Sequence, residues 1–336
     1  MRDSRVRKFP STLVQGEQKV FDHMRDMFPD WKARGLTSLL QEHRGGFAFN
    51  KEAINGLADL ARSEGVTIYD GVQVTGFKHG SDHSVTHVET TDGDIEVGCV
   101  VSGAGPWSAR VWEMLGLSDR VDVRDTDGEM HEDQSLWTYW RLEEGEITFA
   151  PSDYLTSAGK MPPVFHFDSR ETLISDKTGD VLSSKDDLWG VYWKTDRAGV
   201  QGGAEPIDLG ETVNLDPYGP DSPEHVVRED FVEFWTSGLA HALGRFEGSY
   251  HKYLRVPTGG VGCFTFDNFL IFDYAPDIPN VYMIADSNHG FKMIGVGKEV
   301  AKVLGGETSS VLDPFRFARF AEGDLHPVSA SPWPWG

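Results

Sequence analysis

The residues best placed to do chemistry follow an apolar run near the C-terminus. The run VYMIAD at 281–286 is typical of a buried strand, and the segment HGFKMIGVGKEVAKVLGG that follows Ser287-Asn288 is typical of a helix. The start of a helix presents free backbone N–H groups and the positive end of a dipole, which together favour an anion or an electron-rich ring edge. Gly290 permits close backbone approach, and Lys292 adds a fixed cation. The alternative is an ordinary strand-to-helix connection.

A second glycine-containing turn, Gly103-Ala104-Gly105, follows another apolar run and precedes a predicted helix. It supplies two small residues of the G-x-G-x-x-G dinucleotide fingerprint, but the third position is Ser108 and the acidic residue expected further on is missing. Taken by itself, this turn favours close strand–helix packing over a dinucleotide site.

The composition and the cysteine count exclude several classes of function. The 336 residues carry 53 Asp+Glu against 31 Lys+Arg, a formal charge of −22, whereas nucleic acids and anionic membranes require clustered cations. Cys99 and Cys263 are too few for a disulfide framework or a four-cysteine zinc site, and they favour a reducing, cytoplasmic compartment. No run is long enough to span a bilayer, no G-x-S-x-G elbow occurs, and the cluster at His131 lacks metal-ligand spacing. We therefore expect neither a metal site nor a hydrolase.

Two kinds of sequence pattern alternate along the chain, and they predict a discontinuous α/β domain into which an α+β domain is inserted. The α/β part combines strands and helices in the manner of a three-layer domain with a parallel sheet, and the inserted part carries aromatic strands and many turns, typical of a mixed or antiparallel sheet. The predicted boundaries are 46–117 with 256–310 for the first domain, 1–45 with 118–255 for the second, and 311–336 for a C-terminal tail.

Local patterns in the first domain predict its elements. Residues 51–65 form an amphipathic helix in which Ile54, Leu57 and Leu60 share one face. A strand is expected at 66–70, and a buried strand inside a parallel sheet is expected at 97–102.

Two separated blocks resemble one family of flavoproteins, in the right order. The central part of the D-amino-acid oxidase/sarcosine oxidase family is similar to GGFAFN…GLADLARSEGVTIYDGVQVTGF…VETTDGDIEVGCVVSGAGPWSARVWEMLGL, and its C-terminal flavin-binding segment is similar to FTFDNFLIFDYAPDIPNVYMIADSNHGFKMIGVGKEVAKVL. The SNHGFK of the second block resembles the SGHGFK of monomeric sarcosine oxidases. The resemblance implies an FAD-binding, Rossmann-like domain with an inserted substrate domain. It also implies oxidation of the C–N bond of an amine or amino acid by hydride transfer to flavin N5.

The resemblance also implies roles for individual positions. It places His289 and Lys292 in the catalytic site, with Lys292 paired to a substrate carboxylate, and it directs the positive end of the following helix at the N1/C2 edge of the flavin, where it stabilises the reduced ring. The aromatic strands at 136–142 and 188–194 are expected to line the substrate pocket. The implied cofactor-binding residues are Val74, Gly103, Ala104, Gly105, Trp107, Asn288, Gly290, Phe291 and Met293.

The chain departs from the family pattern in four places. The N-terminal unit with G-x-G-x-x-G is missing, so we expect an FAD-binding domain that is incomplete at its N-terminus and completed by an N-terminal polypeptide, either separate or encoded upstream. Gln201 stands where sarcosine oxidases have an oxygen-activating lysine, which favours a dehydrogenase. Cys263 lies a few residues after the position of the covalent-flavin cysteine of sarcosine oxidases. Asn288 replaces the glycine that precedes the histidine in that family. The alternative hypothesis is a truncated or partner subunit that binds no flavin and has no catalytic activity alone.

Overall fold

The computed structural model describes residues 10–125, 127–197, 199–211, 227–254, 259–265, 267–285 and 294–325. The chain divides into two compact units. Unit 1 comprises Met1–Phe47, Leu142–Pro206 and Tyr218–Gly260, and unit 2 comprises Ala48–Arg141, Ile207–Pro217 and Val261–Gly336.

The described ranges contain six α-helices and nineteen β-strands. The helices are α1 (Glu17–Met27), α2 (Asn50–Ser63), α3 (Ser108–Met114), α4 (Phe231–Ala242), α5 (Ile294–Leu304) and α6 (Ala318–Glu322). The strands are β1 (Ser11–Gln15), β2 (Ser38–Glu42), β3 (Val74–His79), β4 (Val85–Thr90), β5 (Ile95–Glu96), β6 (Val100–Ser102), β7 (Arg120–Arg124), β8 (Met130–Ser135), β9 (Trp137–Thr148), β10 (Phe165–Ser169), β11 (Leu173–Ile174), β12 (Val181–Ser183), β13 (Trp189–Thr195), β14 (Gly199–Ala204), β15 (Ile207–Gly210), β16 (Tyr253–Leu254), β17 (Gly259–Thr265), β18 (Ile271–Tyr274) and β19 (Val281–Ala285).

Unit 1 is built on an antiparallel sheet in the order β10–β13–β14–β9, where β9 contributes its second half. Strand β13 alternates in the period-two manner of a sheet with one apolar face. Trp189, Val191 and Trp193 are buried in a core that also contains residues of α1 and α4. A Cβ on Gly145 of β9 would lie 2.6 Å from the ring of Tyr253, so only glycine fits this close approach.

Unit 2 contains a three-stranded sheet in the order β18–β19–β6, in which β19 is parallel to β6 and antiparallel to β18. It also contains the meander β3–β4–β5 and the hairpin β7–β8, which packs against α6. Because this hairpin shares the core of unit 2, the structural boundary in β9 lies at 141/142, whereas the sequence placed it at 117/118.

Two local predictions need correction. Residues 66–70 form no strand, since the chain turns at Gly65 and Gly71, whose φ angles are +91° and +77°. The strand in 97–102 is parallel as predicted, but β6 forms an end of its sheet in the described structure, and the side chain of Val101 is 46% exposed. The expected burial of this strand is therefore wrong.

A buried ion pair anchors the C-terminal part of unit 2. Arg319 in α6 donates two hydrogen bonds to Asp267, from Nε at 2.8 Å and from Nη2 at 2.9 Å, and both side chains are 2% exposed. Arg319 Nη2 also donates to the carbonyl of Phe269. Two-point pairing of this kind offsets the cost of removing both charges from water.

We expect Arg319→Ala to lower the free energy of unfolding by about 3–5 kcal/mol, because it leaves Asp267 buried without its counterion. Urea unfolding followed by tryptophan fluorescence measures this. The matched control is Arg316→Ala, which removes an exposed pair with Asp313 and should cost less than about 1 kcal/mol. Equal losses in the two variants would contradict the assignment.

Unit 1 has its own partly buried pair. Arg245 Nε donates to Asp30 Oδ2 at 2.7 Å, and Nη2 donates to Oδ1. Burial opposes ionisation of Asp30, but the hydrogen bonds and charge of Arg245 outweigh it, so the pKa of this carboxyl lies below its ordinary value of 3.8.

A lowered carboxyl pKa in the folded state stabilises the protein above the unfolded pKa, and this contribution disappears as the pH falls through the folded pKa. We therefore expect the stability of the unaltered chain to fall more steeply on acidification below pH 3.8 than that of Asp30→Asn. Urea midpoints at a series of pH values measure the difference. Parallel curves for the two proteins would show that the pair contributes no pH dependence.

Candidate functional site

The candidate site is organised by the parallel pairing of β6 and β19. Val281 pairs with Val100, and Met283 pairs with Ser102, although about 180 residues separate these partners in the sequence. Parallel neighbours end at the same edge of a sheet, so the turn after Ser102 and the chain leaving Ala285 start side by side. Ligands of open α/β sheets bind at this carboxyl edge, where loops leave the strands.

Asn280 holds this pair of strands to the neighbouring meander. Its side-chain oxygen accepts a hydrogen bond from the backbone N–H of Val85 at 2.8 Å, and its side-chain nitrogen donates to the carbonyls of Val85 and Gly98. Its own carbonyl accepts from the N–H of Val100. Sequence reasoning missed this residue, because its partners are distant in the chain and only the tertiary structure brings them together.

The turn after β6 leaves open space beside its backbone. A Cβ built on Gly103 or on Gly105 would have no heavy atom within 4 Å, and Gly105 has a φ of +56°, a conformation that favours glycine. The turn then tightens, because Ser108 donates from its hydroxyl to the carbonyl of Gly105 at 2.7 Å and is itself buried. Ser108 thus stabilises the turn at the position where the dinucleotide fingerprint has a small residue.

The other predicted cofactor contacts in the described residues are Ala104, Trp107 and Val74. Ala104 adopts helical dihedral angles and accepts a hydrogen bond from the N–H of Trp107. The side chain of Trp107 is 36% exposed, and that of Val74, at the start of β3, is 37% exposed. Strand β3 packs against α3, the helix that follows the glycine turn. Both side chains are therefore accessible to a ligand.

The remaining predicted site residues lie outside the described residues. They are Asn288, His289, Gly290, Phe291, Lys292 and Met293. Their assignments remain predictions from the resemblance.

Cys263 is a packing residue. It lies in β17, is 3% exposed, and shares a hydrogen bond with Tyr139. Burial raises the pKa of its thiol to about 12 and outweighs the hydrogen bonds from Ala109 and Tyr139. Because the thiolate is the reactive form, burial and the raised pKa disfavour reaction at Cys263 at neutral pH.

A polar network on unit 1 went unnoticed in the sequence. Tyr192 donates from its hydroxyl to Glu144 Oε1 at 2.5 Å, and Gln201 donates from Nε2 to Glu144 Oε2 at 2.6 Å. The ring of His166 stacks on Tyr192 at 5.5 Å between centroids. Burial, and next the charge of Glu144, raise the pKa of Tyr192 well above its ordinary value, so its hydroxyl remains a donor. The sequence signal that could have revealed this network was the alternation in WGVYWK, which places Tyr192 on the face of β13 opposite to the buried tryptophans.

Comparison with known proteins decides the family. The family model of FAD-dependent oxidoreductases, DAO, matches residues 11–303. The chain belongs to this family. It is therefore an enzyme, an oxidoreductase whose cofactor is FAD, as the resemblance predicted.

Solved structures share the fold of this family member. The match to the L-proline dehydrogenase from P. horikoshii covers 95% of this chain and 71% of that one, with a TM-score of 0.64 and 18% sequence identity. The corresponding values for the glycine oxidase from Geobacillus kaustophilus are 93%, 68%, 0.59 and 16%. For a modified fructosyl peptide oxidase from Aspergillus nidulans they are 94%, 67%, 0.61 and 18%. At these identities the likeness establishes the FAD-binding fold, as predicted.

The described residues at the end of β6 are compatible with a bound ligand. The open space beside Gly103 and Gly105 admits a ligand to the backbone, and exposed Trp107 offers an aromatic surface beside it.

No helix of the described residues is both long and apolar enough to cross a membrane.

We expect Gly103→Val to weaken FAD binding at least tenfold, about 1.4 kcal/mol, because the new side chain enters the space beside the turn. Folding should be affected little, since a Cβ at Gly103 meets nothing within 4 Å. Quenching of flavin fluorescence measures the affinity. The control is Gly98→Val, at the other end of β6, where a Cβ also meets nothing. Unchanged affinity in Gly103→Val would remove this turn from the cofactor site.

Proposed function

We propose that this enzyme oxidises the C–N bond of an amine or amino acid to an imine, which water then hydrolyses. The observation that carries the proposal is the adjacency of the two strand ends, Ser102 and Ala285, in a member of the FAD-dependent oxidoreductase family. Its structural neighbours include an L-proline dehydrogenase, a glycine oxidase and a fructosyl peptide oxidase, and proline, glycine and fructosyl peptides all contain a C–N bond next to an oxidisable carbon.

The cofactor-binding part of the proposal uses both turns. Val74, Gly103, Ala104, Gly105 and Trp107 are assigned to the dinucleotide. The segment that contains Asn288, Gly290, Phe291 and Met293 is assigned to the flavin ring, beside His289. FAD held by these residues would supply the acceptor of the hydride, its N5 atom. The start of α5 follows this segment, so free backbone N–H groups and the positive end of an eleven-residue helix favour negative charge on the ring.

Lys292 is proposed to hold the substrate through its carboxylate. A lysine ammonium is a compact cation with three hydrogen-bond donors, and it fixes an anionic group without taking part in the oxidation. This positioning orients the C–H bond that is broken, and orientation lowers the barrier by reducing the entropy lost on reaching the transition state.

We expect Lys292→Met to raise KM at least tenfold for N-methyl and D-amino acids, and to leave KM for the corresponding neutral amines unchanged. Steady-state assays of the flavin-loaded enzyme with matched pairs of substrates measure this. The control is Lys298→Met, in the exposed surface of α5. Equal effects on acids and amines would exclude Lys292 from carboxylate binding, and absence of turnover with either class would reject the proposed reaction.

The electron acceptor is proposed to be a molecule other than O2. Gln201 carries a neutral amide that donates to Glu144 at 2.6 Å. The resemblance places an oxygen-activating lysine at this position. Since a cation favours the negatively charged products of oxygen reduction, an amide hydrogen-bonded to a carboxylate gives no such assistance.

We expect the reduced enzyme to be reoxidised at least tenfold faster by a quinone or dye acceptor than by air-saturated buffer. Stopped-flow absorbance of the flavin measures both rates. Gln201→Lys should raise the rate with O2 selectively, and Gln201→Met serves as the uncharged control. Rapid reoxidation of the unaltered enzyme by O2 would identify an oxidase instead.

A further inference from the structure

The end of α4 is joined to the segment 30–33 by two backbone hydrogen bonds within unit 1. The N–H of Lys32 donates to the carbonyl of Ala242 at 2.8 Å, and the N–H of Gly244 donates to the carbonyl of Asp30 at 3.0 Å. The two bonds run in opposite directions, in the manner of a short antiparallel bridge. We refer to these two hydrogen bonds as the α4 clasp.

His241 lies in the last turn of α4, next to the clasp. Its ring meets the ring of Trp189 at a right angle, with centroids 5.3 Å apart, and it lies 6.1 Å from the ring of Phe167. Phe167 in turn contacts the ring of Trp31, at 5.9 Å between centroids. The imidazole is therefore part of the aromatic packing that supports the segment 30–33.

The Nε2 atom of His241 is buried and has no hydrogen-bond partner among the described residues. A neutral imidazole tolerates this environment, because its proton can sit on Nδ1 and leave Nε2 without a hydrogen. A protonated ring carries an N–H donor on both nitrogens, so Nε2 would become a charged donor without an acceptor. Such a group is costly in the interior, and the cost is relieved when the surrounding contacts open and admit water.

The charges nearest His241 do not compensate for this cost. Burial lowers the pKa of His241 below its ordinary value of 6.5, the charge of Lys32 lowers it further, and the charge of Glu171 only partly opposes them. Asp30 and Arg245 neutralise each other in their ion pair. The position in the last turn of a helix favours a cation, but burial outweighs it.

The other charged groups on the neighbouring elements are paired, exposed or directed to the opposite face. Glu233 of α4 accepts a hydrogen bond from Ser175, Lys252 lies over the ring of Phe149, and His251 is exposed. The titratable residues of β10 and β13 alternate with core side chains and so lie on the other face of the sheet; they are His166, Asp168, Tyr192 and Lys194.

We propose that His241 makes the α4 clasp acid-sensitive: when its ring takes up a proton, the contacts between the end of α4 and the segment 30–33 open. The ion pair of Asp30 with Arg245 keeps its charges during this step, because the pKa of Asp30 lies below 3.8. Trp235 of α4 donates from Nε1 to the carbonyl of Tyr192 at 3.2 Å, so a loosened α4 also affects β13. The device responds to mild acidity and requires no ligand.

Urea unfolding of the full chain with excess FAD, at pH values from 7 to 5, tests the proposal. A lowered histidine pKa in the folded state gives stability that is complete above pH 6.5 and is lost as the pH falls below it. Between pH 7 and pH 5, we expect the folding equilibrium constant of the unaltered chain to fall at least about fivefold more than that of His241→Phe, which keeps a ring but takes up no proton.

Two further variants complete this experiment. His241→Leu serves as a second test with a smaller side chain, so that the result does not depend on how well the larger ring packs. His251→Phe, which removes an exposed histidine, should retain the pH dependence of the unaltered chain. Parallel pH curves for the unaltered chain and the His241 variants would overturn the proposal.

Hydrogen exchange measured by mass spectrometry locates the opening. After correction for the intrinsic pH dependence of exchange, we expect peptides covering 30–33 and 239–244 to exchange at least about fivefold faster at pH 5.5 than at pH 7 in the unaltered chain, and not in His241→Phe. A peptide covering 271–285 in unit 2 is the internal control. Equal acceleration in all peptides would indicate global destabilisation without a local clasp, and it would overturn the proposal, as would identical exchange in the two proteins.

Discussion

The parallel pairing of β6 with β19 is the constraint on which the functional architecture depends. It joins segments far apart in the chain, and it does so with backbone hydrogen bonds that carry no information about side chains. Its consequence is geometric: two strands that run in the same direction deliver their following turns to one edge. Asn280 reinforces the arrangement, because one side chain satisfies backbone groups of Val85 and Gly98 beside the pair.

Each unit has an apolar core of its own and also leaves apolar side chains exposed. Unit 1 encloses Trp31, Trp189, Trp193 and Trp235 almost fully between its sheet and helices. Unit 2 has a core of its own, yet it also exposes Ile54, Leu57 and Leu60 of α2 and Val101 of β6. Each exposed leucine or isoleucine lacks at most about 1.5–3 kcal/mol of the stabilising free energy that full burial of its side chain would contribute. Unit 1 likewise exposes Leu13, Leu40 and Val181, so neither unit buries all of its apolar surface.

In both units, some buried or partly buried carboxylates are paired with hydrogen-bond donors. Arg319 with Asp267, and Arg228 with the buried Glu143, pair through hydrogen bonds that replace lost hydration. Glu144 is similarly held by Tyr192 and Gln201. Not every buried carboxylate is matched in this way, because Glu205 Oε2 is buried without a hydrogen-bond partner in the described part of the chain, and burial raises the pKa of Glu205 and of Asp168. Such matching fixes the orientation of neighbouring strands and helices.

Sequence patterns by themselves determined the family, the cofactor and the kind of elements. The resemblance of the two blocks around Gly103 and Asn288 to one known family was sufficient for the flavoprotein assignment, because each block lies within a short stretch of the sequence. The helix at 51–65 and the strand at 281–286 were also recognisable, since a regular apolar period does not depend on distant contacts. The predicted roles of His289 and Lys292 rest on the same local resemblance.

Only the tertiary structure decided which apolar faces are covered and which polar groups meet. The pattern of Ile54, Leu57 and Leu60 predicted an amphipathic helix, but periodicity cannot reveal whether a partner surface exists. The exposure of Val101 and the network around Glu144 depend in the same way on strand neighbours far away in the chain. Local periodicity shows which face of an element is apolar. Only contacts with segments far away in the chain determine whether that face is buried.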